Sequence, residues 1–168
     1  MKKFIILFIF LSGVIFGADK NFMSLGVDTG YLIDGILKGG WGGGGIFEIK
    51  LLDNFSIALN AGYIEYLEKK ENETNKISDI KYFATVRWYQ GGAIDGVYAG
   101  VGFGSFYTAQ NSEGIYGYLF PLEIGLKLVL SGKKDGFSLE PNATFLLKYG
   151  NSRFGFGMKY GVNVGYTF

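Results

Sequence analysis

The chain of 168 residues contains no histidine and no cysteine. Without histidine it lacks the general base of Ser-His-Asp catalysis and the commonest metal ligand. Without cysteine, thiol catalysis, zinc–thiolate sites and disulfide bonds are excluded as well. We therefore expect a non-enzymatic protein with no catalytic residues, no cofactor and no metal site, stabilised by backbone hydrogen bonds and burial.

Proline and net charge are also scarce. The chain has 2 prolines, and 16 basic residues nearly balance 15 acidic ones. Lys2 and Lys3 precede the first apolar run, so 16 − 2 = 14 basic residues stand against 15 acidic ones in the rest of the chain. A near-neutral chain does not indicate a nucleic-acid partner. Glycine, with 28 residues, and aromatic residues, at 18%, are abundant, and this mixture suits twisted strands in which glycine relieves crowding.

The first 18 residues have the pattern of a secretion signal. A short basic region is followed by an apolar run over 4–16 and then by the small residues Gly17 and Ala18, which are typical before a cleavage site. The apolar run is shorter than the roughly 20 residues of a membrane-spanning helix. We therefore predict a cleaved signal peptide over 1–18 and one domain over 19–168.

The rest of the chain alternates between apolar and polar residues with a period of two, the pattern of strands with one apolar face. Eight such stretches are predicted, at 22–31, 40–51, 55–63, 80–88, 97–107, 117–128, 137–148 and 158–168. In the first stretch, Thr29 and Tyr31 fall on the apolar face. Short turns are predicted at 52–54, 90–96 and 131–136. Longer outward loops are predicted at 32–39, 65–79, 108–114 and 149–156.

The polar faces of these stretches carry spaced ionisable residues. One interpretation is a polar or proton-conducting lumen, or a carboxylate pair such as Glu123 and Glu140 acting as acid and base. The favoured interpretation is a mutually neutralising network that fills a barrel, because buried charges need partners. The predicted network consists of Asp28, Glu48, Arg87, Glu123, Lys127, Glu140, Lys148 and Lys159, with Lys50 and Lys81 on the same face.

Bulky apolar residues interrupt the polar faces and are expected to pack inside a barrel, plugging its lumen. These residues are Phe83, Tyr89, Phe106, Leu119 and Leu146. The glycine-rich segment 39–45 lacks the lysine and the helix that follow a phosphate-binding loop. It is predicted to be the flexible, bent end of the second strand.

Alternation alone does not separate a soluble barrel, with its apolar face inward, from a membrane barrel, with its apolar face outward. Small polar residues opposite the apolar face, aromatic residues near the strand ends and an even number of strands favour the membrane barrel. The predicted fold is therefore all-β, an eight-stranded antiparallel up-and-down transmembrane β-barrel. A soluble secreted barrel that binds a lipophile is the alternative.

The last stretch also carries a resemblance. Its alternating residues Tyr160, Val162, Val164, Tyr166 and Phe168 resemble the C-terminal strand of bacterial outer-membrane barrels, which is the signal read by the barrel-assembly machinery. The whole domain is similar in length and pattern to the small eight-stranded outer-membrane barrels of the OmpX and OmpA-transmembrane type, and its stretches 121–128 and 137–141 resemble motifs of bacterial members.

That resemblance implies localisation in the bacterial outer membrane, with outer-membrane lipid and the assembly machinery as partners. It also implies a structural, adhesive or surface-interaction role, in which exposed loops contact an extracellular or host partner. A narrow pore for small solutes is the alternative function within the same family.

Overall fold

The computed structural model describes residues 23–70, 73–92, 94–111, 113–130 and 135–168. The predicted signal peptide over 1–18 lies outside these residues, as do parts of the predicted segments 65–79, 90–96, 108–114 and 131–136.

Eight antiparallel strands form one closed sheet in which each strand pairs with its neighbours in the chain, and the first pairs with the last. The strands are β1 (Met23–Asp28), β2 (Trp41–Leu52), β3 (Phe55–Lys70), β4 (Glu73–Tyr89), β5 (Gly96–Gln110), β6 (Glu113–Val129), β7 (Gly136–Gly150) and β8 (Arg153–Thr167). One helix, α1 (Thr29–Leu37), follows β1. The predicted eight-stranded antiparallel up-and-down barrel is therefore confirmed.

The apolar face of the barrel points outward and the polar face points inward. Val101 and Met158 are 60% and 58% exposed, whereas Glu48 is 0% and Arg87 is 1% exposed. A soluble barrel has the opposite arrangement, since it buries its apolar face. The alternation in the sequence therefore records which residues line the interior.

The prediction for the first stretch is wrong at its end. β1 ends at Asp28, and Thr29 and Tyr31 belong to α1, which also occupies most of the predicted loop 32–39. Asp28 caps the helix, because its side chain accepts a hydrogen bond of 2.9 Å from the backbone N–H of Gly30. An aspartate in this position satisfies one of the free N–H groups of the first turn.

The predicted loops 65–79, 108–114 and 149–156 are wrong for most of their length, because the strands continue through them. In the first of them, pairing extends through Tyr66↔Ile77 to Lys69↔Thr74. Where both faces of a ladder are polar, the apolar alternation disappears although the backbone pairing persists. The last of these hairpins closes over Asn151 and Ser152, both with positive φ, as in a two-residue type I′ turn.

Candidate functional site

The candidate site is the barrel interior, whose two ends differ. We call the end with the β2–β3 turn the lower end and the end with α1 the upper end. Along the inner face of β4, Arg87 lies lowest, Phe83 is in the middle and Lys81 lies highest. These three residues mark a lower charged layer, a middle apolar layer and an upper charged layer.

Arg87 is the centre of the lower layer. Its Nε lies 2.9 Å from Oε2 of Glu123, and its Nη1 lies 3.1 Å from Oε1 of Glu140 and 3.4 Å from Oε2 of Glu48. The Nζ atom of Lys127 lies 2.7 Å from Glu48 and 3.5 Å from Glu140. The structure thus brings together five of the eight predicted network residues, with three carboxylates for two cations.

Neutral donors supply the remaining contacts of these carboxylates. The hydroxyl of Tyr89 donates to Glu48 at 2.7 Å, and that of Tyr98 donates to Glu140 at 2.8 Å. Further hydrogen bonds come from the side chains of Ser56, Thr85 and Asn163. Because each carboxylate has several donors, the geometry favours the structural interpretation of Glu123 and Glu140 over acid–base chemistry.

Sequence reasoning did not identify Tyr98, although it is central to this layer. The Arg87 guanidinium lies 4.4 Å from the centroid of its ring, a cation–π contact. Tyr98 packs with Tyr89 and Ile94 in a buried apolar cluster at the lower end. Tyr98 follows the outward residue Val97, so the period of two places it on the inner face of β5. The next residues of that face are glycines, which indicate a face of small residues and not an aromatic side chain.

The middle layer consists of apolar side chains. Phe83, Phe106, Leu119 and Leu146 form a buried cluster, so the expectation that they pack inside is confirmed, as it is for Tyr89. Along β4 and β7 this apolar cluster lies between the charged layers and fills part of the lumen.

The upper layer contains the remaining predicted network residues. Lys159 is paired with Asp28, and Lys81 lies 2.7 Å from Asp79. Lys148 belongs to no ion pair among the described residues, and its ammonium lies 5.5 Å from the centroid of the Phe106 ring. The predicted single network is therefore two separate groups, with Lys148 attached to neither by an ion pair.

Helix α1 takes the place of the upper part of β1 in the barrel wall. β1 pairs with β8 only as far as Asp28↔Asn163, and above that point α1 contacts both β2 and β8. The Thr29 hydroxyl donates to the Val162 carbonyl at 2.7 Å and accepts from its N–H at 3.1 Å. A Cβ added to Gly35 would lie 2.4 Å from the Trp41 backbone, so the helix lies directly on β2.

Tyr31 points into the barrel from this helix and not outward as predicted. It is 1% exposed, and a Cβ added to Gly44 or Gly62 would lie 2.3 Å from its ring. Within the glycine-rich segment 39–45, Gly42 and Gly44 therefore allow close packing against Tyr31, and residues 41–45 are paired strand, which corrects the predicted role as a flexible strand end. The pattern missed this because Tyr31 continues the alternation of β1.

The predicted assembly signal lies on the outer face of β8. Its alternate residues are half-exposed or exposed: Tyr160, Val162, Val164, Tyr166 and Phe168. The N–H of Phe168 donates to the Met23 carbonyl at 2.8 Å, which extends the pairing that closes the barrel. The role of these residues as a signal stays a prediction.

No protein-family model matches the chain, and no curated protein matches its sequence. Within the described residues, no helix has the length and apolar character needed to cross a membrane. The barrel geometry is therefore the basis for inferring function.

Proposed function

We propose that this protein is a non-enzymatic outer-membrane β-barrel of bacteria, with a filled interior and a structural and surface-interaction role. The observation that carries the proposal is the outer surface, where all eight strands present exposed apolar side chains over a buried, ion-paired interior. Water does not stabilise such a surface, whereas hydrocarbon does, and a closed sheet leaves few backbone groups unpaired in a bilayer.

Aromatic residues on the outer face support the proposal. Near the upper end, the ring centroids of Tyr107 and Tyr116 are 4.4 Å apart, and those of Tyr149 and Phe154 are 4.8 Å apart. Near the lower end, Phe137 contacts Tyr166, and Tyr166 contacts Phe168. On β7, positions 137 and 149 are separated by 149 − 137 = 12 residues. At ~3.3 Å per residue and ~40° tilt this is ~30 Å along the axis, compared with the ~25 Å apolar band of such barrels.

The interior disfavours two alternatives. A lipophile-binding soluble barrel turns its apolar face toward an internal cavity, whereas here the apolar face points outward and the lower layer of the interior is charged. A pore needs an open polar path, whereas the apolar cluster of Phe83, Phe106, Leu119 and Leu146 occupies part of the lumen. We expect no ion conductance from the folded protein in planar bilayers.

The surface role is supported by the β3–β4 hairpin. β2 ends its pairing with β3 at Trp41↔Glu65, and β4 pairs with β5 only up to Ile77. The hairpin residues 66–70 and 73–76 therefore project beyond both neighbouring strands. Its exposed described residues include Lys69, Thr74 and Lys76, and Lys76 lies 3.0 Å from Glu65 at the base of the hairpin. A projecting polar hairpin suits contact with an extracellular partner.

The membrane assignment is tested by the gel mobility of protein refolded in detergent, with and without boiling. A closed, detergent-resistant barrel should migrate differently from the boiled chain. Protein that stays soluble and monomeric in buffer without detergent would contradict the assignment.

The orientation of the barrel can be tested because the chain has no cysteine. Lys69→Cys places one thiol on the projecting hairpin, and Asp53→Cys places one in the lower turn, where the Asp53 side chain is 97% exposed. With a membrane-impermeant maleimide, we expect intact cells to label position 69, and position 53 only after permeabilisation. Labelling at position 53 alone on intact cells would reverse the orientation.

A further inference from the structure

The barrel wall has a gap in its pairing between β8 and α1. β8 pairs with β1 only over residues 163–167. At Val162, the Thr29 hydroxyl forms hydrogen bonds with both the backbone N–H and the carbonyl. No hydrogen bond within the described residues joins α1 to the backbone of Phe156 or Met158. Backbone groups of a strand edge cannot face hydrocarbon without a polar partner. If the barrel lies in a membrane, this edge needs a polar occupant.

A cavity of about 270 Å³ lies at this gap. It is lined on one side by Tyr31 and Lys38 of α1 and on the other by Phe156 and Met158 of β8. The side chains of Phe156 and Met158 are exposed on the outer face. The cavity therefore connects the upper lumen with the apolar outer surface. Its volume is just under the ~300–1,000 Å³ of small-molecule sites, enough for a headgroup but not for acyl chains.

The charge of the cavity is positive. Four lysines line it, namely Lys38, Lys81, Lys148 and Lys159. Three of them are paired with carboxylates, namely Asp34, Asp79 and Asp28 respectively, so 4 − 3 = 1 positive charge is left. That charge belongs to Lys148, whose Cε would lie 3.7 Å from a Cβ added to Gly157, next to the free edge of β8.

Helix α1 continues the apolar outer surface beside the gap. Leu32, Ile33, Ile36 and Leu37 are all exposed, with Leu37 at 80%. At 3.6 residues per turn these four positions form one continuous face of the helix, and buried Tyr31 and Gly35 lie on the other side. An acyl chain that leaves the cavity meets an apolar surface on both sides.

We propose that this gap binds one anionic lipid, with its phosphate at Lys148 and its chains on the outer surface between α1 and β8. The proposal rests on the membrane assignment made above. The ammonium of Lys148 supplies the charge, as lysine does in phosphate sites. The backbone N–H groups of Phe156 and Met158, which no hydrogen bond joins to α1 within the described residues, supply further donors to the phosphate oxygens.

The test is native mass spectrometry of the barrel folded in a neutral detergent, with phosphatidylglycerol, phosphatidylcholine or inorganic phosphate added. We expect one phosphatidylglycerol per barrel and weaker binding of phosphatidylcholine, whose choline cation opposes the lysines. Lys148→Gln should weaken phosphatidylglycerol binding about tenfold, the effect of losing one charged hydrogen bond. Lys76→Gln removes a charge from the projecting hairpin and should leave binding unchanged.

A second variant tests the cavity without removing the charge. Gly157→Leu should abolish binding, because the leucine side chain would occupy the cavity beside Lys148. The fold should tolerate the substitution, because a Cβ at this position makes only ordinary contacts with Lys148 and Leu146. Equal binding of both lipids, or unchanged binding by Lys148→Gln or Gly157→Leu, would overturn the proposal. Displacement of the lipid by equimolar inorganic phosphate would also overturn it, since the site would then take phosphate alone.

Every sample is first checked for the heat-dependent gel shift. A barrel that shows the shift but binds no lipid contradicts the lipid site alone. A protein that shows no shift and needs no detergent contradicts the membrane assignment itself.

Discussion

In the lower layer of the barrel interior two cations share three carboxylates, whereas around the upper cavity four lysines share three carboxylates. The lower layer has an excess of negative charge, and hydroxyl and amide donors from five neighbouring side chains offset it. The upper layer has an excess of positive charge, and the extra amine of Lys148 faces an aromatic ring and a cavity. A layer whose charge is satisfied internally stabilises the fold, and a layer whose charge is not satisfied can bind a ligand.

The packing of the two halves differs in the same sense. At the lower end, Tyr89, Ile94 and Tyr98 form a buried apolar cluster where β4 and β5 are paired down to Tyr89↔Tyr98. The upper end is closed by Tyr31, carried on a helix that interrupts the wall. The more regular half therefore holds the network that the fold depends on, and the irregular half holds the cavity.

The largest predicted effect is in the lower layer. Arg87→Met removes the cation that contacts three buried carboxylates. Lys127 is then the one cation left in the described lower layer. Breaking a buried ion pair by removing one partner costs ~3–5 kcal/mol, so the barrel should unfold at a markedly lower urea concentration. Unfolding is measured by the gel shift of detergent-folded protein across a urea series.

The control for this variant is Lys50→Met. Lys50 is paired with the exposed Asp53 at 3.4 Å, and exposed ion pairs contribute ~0–1 kcal/mol. If Arg87→Met unfolds at the same urea concentration as Lys50→Met, the lower layer does not stabilise the fold as argued.

The second prediction concerns the closure of the upper half by Tyr31. Gly62→Ala places a Cβ 2.3 Å from the Tyr31 ring, and overpacking of this kind costs ~1–3 kcal/mol. In a Tyr31→Ala background the ring is absent, so the same substitution should cost little. The four proteins of this double-mutant cycle are compared by urea unfolding. A cost for Gly62→Ala that is the same in both backgrounds would mean that Tyr31 does not pack against β3.

The alternating pattern of the sequence was sufficient to predict the strand number, the pairing order and the inward position of residues such as Glu48 and Leu119. It succeeded where the two faces of a strand differ in polarity. It failed at Tyr31, where a helix interrupts a strand without breaking the alternation, and at 65–79, where the alternation ends but the strands continue.

The candidate site was predicted only in part, because a period of two assigns a residue to a face but not to a height or a partner. Lys148 and Lys127 both fall on the polar face of an alternating stretch. In the structure, however, Lys127 lies 2.7 Å from Glu48, whereas Lys148 lines the cavity. The cavity itself depends on the point at which β1 ends. That point is set by Asp28, which ends β1 and caps α1, whereas the alternation predicted that the strand continues through Thr29 and Tyr31.

The smallest predicted effect is that of Lys148→Met, which gives the sharpest contrast with Arg87. No carboxylate among the described residues loses an ion-pair partner in this variant, and an unbranched side chain of similar length stays beside the Phe106 ring, from whose centroid the Lys148 ammonium lies 5.5 Å. In neutral detergent without anionic lipid, we expect the urea midpoint to stay the same or to rise, because an unpaired charge in a partly buried site is unfavourable.

Lys159→Met is the matched comparison, since the loss of that lysine leaves Asp28, which is 0% exposed, without its cation. It should therefore destabilise the barrel where Lys148→Met does not. Equal destabilisation by both variants would show that Lys148 makes an internal interaction that stabilises the barrel as much as the pairing of Lys159 with Asp28 does. The upper layer would then be a second structural network, and the contrast between the halves would rest on the gap beside α1 alone.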